Sequence, residues 1–156
     1  MVLLGFTMFC DKILSGQKRQ TIRKLRKRPI MPGDHLHLYW KPRTKQCEKL
    51  GEAISRGRLF FITIQRLGDS IRIDRYLRPV KSDYSSFVTL TDRQMRDLAK
   101  RDGFKNVFLL VETLSMLHSN AILDGNTFFQ IIRWKLCVGS KRKSKPTLKA
   151  SDSMKT

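Results

Sequence analysis

Ile13-Leu14-Ser15-Gly16-Gln17-Lys18-Arg19-Gln20-Thr21-Ile22-Arg23, with Pro32-Gly33-Asp34 close behind, is the stretch whose reading decides the fold. An apolar pair, a glycine, a basic pair and a β-branched threonine follow so closely that a helix must stop and a strand must start within the run. Apolar residues at Phe6, Phe9, Cys10, Ile13 and Leu14 recur at helical spacing, and Gly16 can take the left-handed conformation that ends a helix. Arg19 to Lys24 then reads as a strand. The junction places Lys18, Thr21 and Arg23 close together. Strand alternation turns Arg19, Thr21 and Arg23 one way and Lys18, Gln20 and Ile22 the other.

Working outward, Arg26-Lys27-Arg28-Pro29 is a basic connection that its proline keeps out of a sheet interior. After the turn at Pro32-Gly33-Asp34, His35 to Trp40 alternates, with Leu36, Leu38 and Trp40 on a core face and His35, His37 and Tyr39 on the other. A Lys- and Arg-rich loop, Lys41 to Lys49, leads through Gly51 into Ala53–Arg66, where Leu59 to Ile64 mark another strand. Ile71 and Ile73 suggest a further short one. Thr91-Asp92-Arg93-Gln94 has capping-box spacing and Leu90 with Met95 that of a hydrophobic staple, which predicts a helix running past Leu98 and Ala99 until Gly103 stops it. Asn106 can cap a second helix carrying Val107, Leu110, Val111, Leu114 and Leu117. Asp124-Gly125 turns into a closing strand, Thr127–Val138, with Phe128, Ile132, Trp134 and Leu136 on one face and Arg133 and Lys135 on the other. Several strands and about three helices without β-α-β alternation give an α+β class of mixed, largely antiparallel strands, or a small β-barrel. Residues 1–138 form one domain, and 139–156, with almost nothing to bury, form a disordered basic tail.

The charge narrows the function. Lys and Arg number 32 against 13 Asp and Glu, a net +19 on 156 residues, and such a field draws polyanions to the surface. RNA is the expected partner, with DNA possible; the plain alternative is a merely solubilising surface. Membrane binding lacks a basic amphipathic helix to support it, and no apolar run approaches the ~20 residues of a membrane span. Cys10, Cys47 and Cys137 are odd in number and widely spaced, which fits reduced thiols and a cytoplasmic location rather than a disulfide framework or a zinc ribbon. His35 and His37 share a strand face, but structural zinc takes about four ligands and suitable neighbours are missing, so no metal is expected. No cofactor is expected either, since neither a nucleotide P-loop nor a dinucleotide glycine fingerprint is present.

From Gln17 to Arg28 there are seven basic residues and no acidic one. A second basic group, Lys41, Arg43, Lys45 and Lys49, adjoins Tyr39 and Trp40, a pairing of cations with stacking platforms that suits single-stranded nucleic acid. Trp40 belongs with the core face, leaving Tyr39 as the stacking candidate. The expected interface is a cleft lined by Lys18, Thr21, Arg23, Tyr39, Arg43 and Lys45, with Arg133 adding a basic side on the closing strand.

The run Ile13 to Arg23, then Pro32-Gly33-Asp34, Leu38-Tyr39-Trp40, Arg43-Thr44-Lys45, Leu50-Gly51-Glu52-Ala53, Asp102-Gly103-Phe104 and Phe129-x-Ile131-Ile132-Arg133-Trp134 together resemble the ASCH domain of the PUA-like superfamily. The resemblance spans about Leu3 to Leu136. It implies a small β-barrel decorated by helices, a cleft between the Lys18–Arg23 segment and the helix ending near Asp102, and RNA binding or a role in RNA metabolism. A bacterial subgroup with a similar motif hydrolyses the acetyl amide of N4-acetylcytidine with a lysine, a threonine and a glutamate. By position these become Lys18, Thr21 and Asp102, the last one methylene shorter. In that case a lysine whose pKa is lowered by the cationic neighbours Arg19 and Arg23 would deprotonate the threonine hydroxyl. Other proteins similar to this family are ribonucleases, so phosphodiester cleavage is a further implied activity.

Overall fold

The computed structural model describes residues 1–78, 87–118 and 124–137. In chain order these form β1 (Val2–Phe6), α1 (Cys10–Leu14), β2 (Gln20–Lys24), β3 (His35–Trp40), β4 (Glu48–Ser55), β5 (Phe60–Leu67) and β6 (Ser70–Tyr76), followed by β7 (Phe87–Thr89), α2 (Asp92–Arg101), α3 (Val107–His118) and β8 (Phe129–Leu136). The class is α+β, with a mixed sheet of eight strands and three helices among the described residues. The expected tail, 139–156, lies outside them.

β8 organises the sheet. β2 pairs along one edge of it, from Gln20↔Arg133 to Lys24↔Phe129. β4 and β5 follow one another along the other edge, Ala53 to Ser55 opposite Leu136 to Trp134 and Phe60 to Ile62 opposite Ile131 to Phe129. Between them the Arg56 N–H donates to the Arg133 carbonyl, and Gly57 at φ 83° makes the bend that splits one long strand into two. β3 and β1 extend the sheet beyond β4, β1 lying parallel to β3, while β6 and β7 extend it beyond β5.

The bend gives β8 a core on each face. Phe129 and Ile131 pack with Ile22, Ile62, Ile64 and Ile73 beneath the apolar sides of α2 and α3. Ile132 and Trp134 point the other way, into Leu4, Phe6, Ile13, Leu36 and Leu38. A strand buried on both faces reads as an almost unbroken apolar run, which is what Phe128 to Trp134 shows. Gln130 is buried among these residues because its carboxamide accepts from the Ile30 N–H and donates to the Ile30 carbonyl.

Two expectations change. The first helix is confined to Cys10–Leu14, and Phe6 lies in β1 instead. The apolar residues before Phe6 pair in parallel with β3, and Phe9 at φ 65° separates strand from helix. The sheet also does not close into a barrel: β1 and β2 are not paired, and the seam between them is spanned by side chains. Arg23 donates to the Gly5 carbonyl and Arg26 to that of Leu3.

Candidate functional site

The capping box expected at Thr91 is formed, its hydroxyl accepting from the Gln94 N–H while the Gln94 side chain accepts from the Thr91 N–H. α2 therefore starts at a fixed residue and stops at Asp102, its C-cap, with Gly103 left-handed at φ 96°. At the opposite junction, α1 ends through Gly16 at φ 75°, and the Lys18 N–H donates to the Lys12 carbonyl at 2.8 Å. This hook aims both lysines at the end of α2. Lys18 Nζ donates to the Asp102 carboxylate and to the Asp102 carbonyl, and Lys12 Nζ donates to the Gly103 carbonyl at 2.7 Å. Cations at a helix C-terminus meet the negative end of its dipole. Phe9 roofs the pair: its ring stacks edge-on against Phe104 at 5.0 Å, with Lys12 and Lys18 Nζ 4.9 and 5.3 Å from its centroid. A Cβ on residue 103 would meet that ring at 3.3 Å, so glycine serves both the turn and the close approach.

Lys18 and Asp102 are each only 3% exposed. Burial pushes the Asp102 carboxyl up to about 6, against the pull of Lys18, the Ile22 backbone N–H and Arg23. Burial likewise lowers Lys18, with Asp102 opposing and Arg23 and Lys12 reinforcing the shift. Desolvation thus outweighs pairing on both sides, and each partner is driven toward its neutral form. Arg19, expected among the cationic neighbours, is not one of them. It is exposed and donates to the Gly16 carbonyl, while Lys12 takes that place.

The pair lies beside a pocket of about 60 Å³ off the unpaired edge of β2, an edge that residues from both strand faces can reach. Lys18, Thr21, Arg23 and Asp102 all line it, so the structure brings together the residues that the junction was expected to gather. Thr21 is buried, and its hydroxyl makes no hydrogen bond among the described residues. Arg23 lies against the Phe6 ring at 5.0 Å, and its Nε is buried without a hydrogen-bond partner there. His118, from the last turn of α3, also lines the pocket, and burial together with Arg23 and Lys24 lowers its pKa. His118 is not among the site residues expected from the sequence. Its spacing of four from Leu114 and seven from Val111 was the available signal that it shares their inward stripe.

Tyr39 and Arg43 are elsewhere. They line a much larger groove of about 1120 Å³ along β1, together with Arg26, Lys27, Arg28 and Asp34. Gly5 makes this groove possible: a Cβ there would fall 2.3 Å from Pro42 Cγ, so only glycine lets the β3–β4 loop lie over β1. The loop carries Lys41 and Arg43 at φ 39° and 68°, and hydrogen bonds from Lys41 N to the Phe6 carbonyl and from Thr44 Oγ1 to the Lys41 carbonyl hold it. Left-handed non-glycine residues cost about 1–3 kcal/mol each and persist where surrounding contacts over-determine them. Lys45 is exposed on the same loop without lining the groove. Arg133 is at a third place, its Nε donating to Gln20 Oε1 at 3.2 Å and its guanidinium 5.7 Å from the Phe60 ring centre. The single cleft of the sequence reading is therefore a pocket, a groove and a separate arginine. Trp40 is half-buried against the core of its sheet, and His37 is 4.0 Å from Glu52. Among the described residues no group of three His, Cys, Asp or Glu side chains is placed to hold a metal, and no helix is long and apolar enough to cross a membrane.

Compared with known protein families, curated proteins and solved structures, the chain matches none.

Proposed function

We propose that this chain is an ASCH-type, PUA-like RNA-binding protein of the cytoplasm that lays the phosphate backbone of a single strand along the β1 groove. The observation that carries this is charge without compensation. Arg26, Lys27, Arg28 and Arg43 face one acidic residue, Asp34, whose carboxylate already accepts from the Met31 N–H. Lys27, Arg28 and Arg43 form no ion pair among the described residues. Tyr39 adds a ring on which a base can stack. Cations held together without counter-ions repel one another, and a polyanion relieves that repulsion while releasing its own condensed ions. The DNA backbone offers the same charges, so a preference for RNA rests on contacts to the 2′-hydroxyl. Arg28→Glu/Arg43→Glu should weaken binding of a labelled single-stranded RNA by at least about tenfold and reduce the salt slope by about 1.4. Arg93→Glu/Arg96→Glu, an equal charge change on the exposed side of α2, should do far less. Equal losses in the two variants would reduce the groove to a contributor of net charge.

A hydrolase acting on N4-acetylcytidine, or a ribonuclease, is the second reading. One observation favours it, the Thr21 hydroxyl left without a hydrogen bond beside the Lys18–Asp102 pair. In the amide case neutral Lys18 would take the threonine proton as the hydroxyl attacks the acetyl carbon, with Arg23 facing the developing oxyanion. The ammonium, held by Asp102, would give that proton to the N4 amine as its bond to the acetyl carbon breaks, and water would then hydrolyse the Thr21 ester to acetate. The pocket, however, falls well below the roughly 300–1,000 Å³ of ordinary small-molecule sites, whereas the groove exceeds it. Binding is therefore the leading reading. Acetate release from N4-acetylcytidine, or cleavage of labelled RNA, that Thr21→Ala and Lys18→Ala both abolish would reverse the order.

A further inference from the structure

Across the helix-covered face of the sheet, the strand registers set three residues in a row. Arg133 is two residues from Ile131 on β8, Ile131 stands opposite Phe60 on β5, and Arg75 on β6 stands opposite Ile62, two residues along from Phe60. The two guanidiniums close on the ring between them, Arg75 at 5.1 Å and Arg133 at 5.7 Å from its centre. The end of α2 lies over the same corner, because buried Gln20, which accepts from Arg133, donates in turn to the Leu98 carbonyl. Arg101, one turn beyond Leu98, adds a third positive charge that Arg133 senses along with Arg75.

Nothing neutralises this cluster among the described residues. Asp74, next to Arg75 in sequence, points to the other face of the strand, where Arg72 and Thr89 hold its carboxylate. Asp102, next to Arg101, is taken by Lys18. Of the five donors on each guanidinium, only Arg133 Nε is used, so the paired terminal nitrogens of Arg133 and all the donors of Arg75 and Arg101 are left for an acceptor. Arg75 and Arg133 are both half-buried beside Phe60, and a partly dehydrated guanidinium fork favours two-pronged binding of a tetrahedral oxyanion.

We propose that Arg75 and Arg133, which flank Phe60, together with Arg101 at the end of α2, form a second phosphate site that takes a backbone phosphodiester of the bound nucleic acid, apart from the groove along β1. This rests on the RNA-binding reading and extends its footprint. None of the three arginines lines the groove.

The test uses the full chain and a labelled single-stranded RNA titrated at several salt concentrations. Arg75→Gln/Arg101→Gln should lower affinity severalfold and the slope of log affinity against log salt by about 0.7 to 1.4, one to two phosphate contacts. If that variant loses its fold by circular dichroism, Arg101→Gln alone, on the exposed last turn of α2, should lower the slope by about 0.7. An unchanged slope in a folded variant, with Arg28→Glu/Arg43→Glu still impaired, overturns the second site and leaves the groove standing. A wild type that binds no RNA overturns the RNA-binding reading itself and the second site with it. The side-chain Nε–H resonance of Arg133 separates sources of phosphate. Movement at stoichiometric RNA supports a phosphodiester, whereas saturation by inorganic phosphate with no response to RNA overturns the site as a nucleic-acid contact.

Discussion

Lys18 reaches Asp102 across 84 positions of sequence, and both are buried. Removing one member of such a pair leaves an unpaired buried charge, which costs about 3–5 kcal/mol, while replacing both by apolar residues of similar volume is often neutral. Lys18→Met should therefore lower the urea unfolding free energy by several kcal/mol, and Lys18→Met/Asp102→Leu should recover most of it. The pH dependence carries the sign of burial. Burial raises the folded Asp102 carboxyl from its ordinary 3.8 to about 6 even with Lys18 beside it, and losing Lys18 removes a pull that lowers it. Between those values the folded state holds a proton that the unfolded state has lost, so its contribution is full below 3.8 and is lost as pH rises through the folded pKa. Relative to the double variant, Lys18→Met should be more stable at about pH 5 than at about pH 8. A flat difference across that range would mean that Asp102 keeps its charge without the lysine.

At the scale of elements, α2 is the strut that carries Asp102, and its two ends are built differently. Thr91 and Gln94 cap the start by exchanging hydrogen bonds, and Gly103 turns the chain at the end. Thr91→Ala should cost about 1 kcal/mol and speed amide exchange at Gln94 without releasing Asp102 from Lys18 at the opposite end of α2. Thermal unfolding and exchange left unchanged would show that the box contributes nothing. β8 is the complementary case. Its alternating residues enter two cores, because β4 and β5 bend around its edge at Gly57. The parallel β1 supplies both the roof of one core and the floor of the groove, and its edge carbonyls are met by Arg23 and Arg26 in place of a neighbouring strand.

Over the whole molecule, a net charge of +19 includes two groups of neighbouring cations, Arg26, Lys27, Arg28 and Arg43 along the β1 groove and Arg75 with Arg133 about Phe60. Four groove cations contacting four phosphates predict a slope of about −3 in log affinity against log salt for single strands. A titration between about 50 and 300 mM salt measures it. A slope near zero would leave the charge as a solubilising coat. Arg23, which lines the small pocket, and Arg26, which lines the wide groove, both donate to carbonyls of β1.

Local chemistry made much of this legible in advance. The stop at Gly16, the strand beginning near Gln20, the Thr91 capping box, the Gly103 terminator and the Asn106 cap of α3, whose carboxamide accepts from the Leu109 N–H, all depend on residues within one turn of each other, and all are present. The gathering of Lys18, Thr21 and Arg23 was legible for the same reason. β1 was not, because Leu3, Leu4, Phe6 and Phe9 satisfy helical and extended spacing alike, and only its distant partner β3 decides between them. Tyr39 and Arg43 could be recognised as cations beside a ring, but their separation from Lys18 depends on Pro42 lying over Gly5, a contact between distant segments. The sequence by itself determined where helices start and stop, which residues are charged and which strand faces are apolar, since these are short-range properties. The tertiary structure alone decided that burial drives Lys18 and Asp102 toward their neutral forms, and that the basic residues of the expected cleft divide among a pocket, a groove and a separate Arg133. Those outcomes depend on which distant groups share a low-dielectric interior, and no spacing along the chain encodes that.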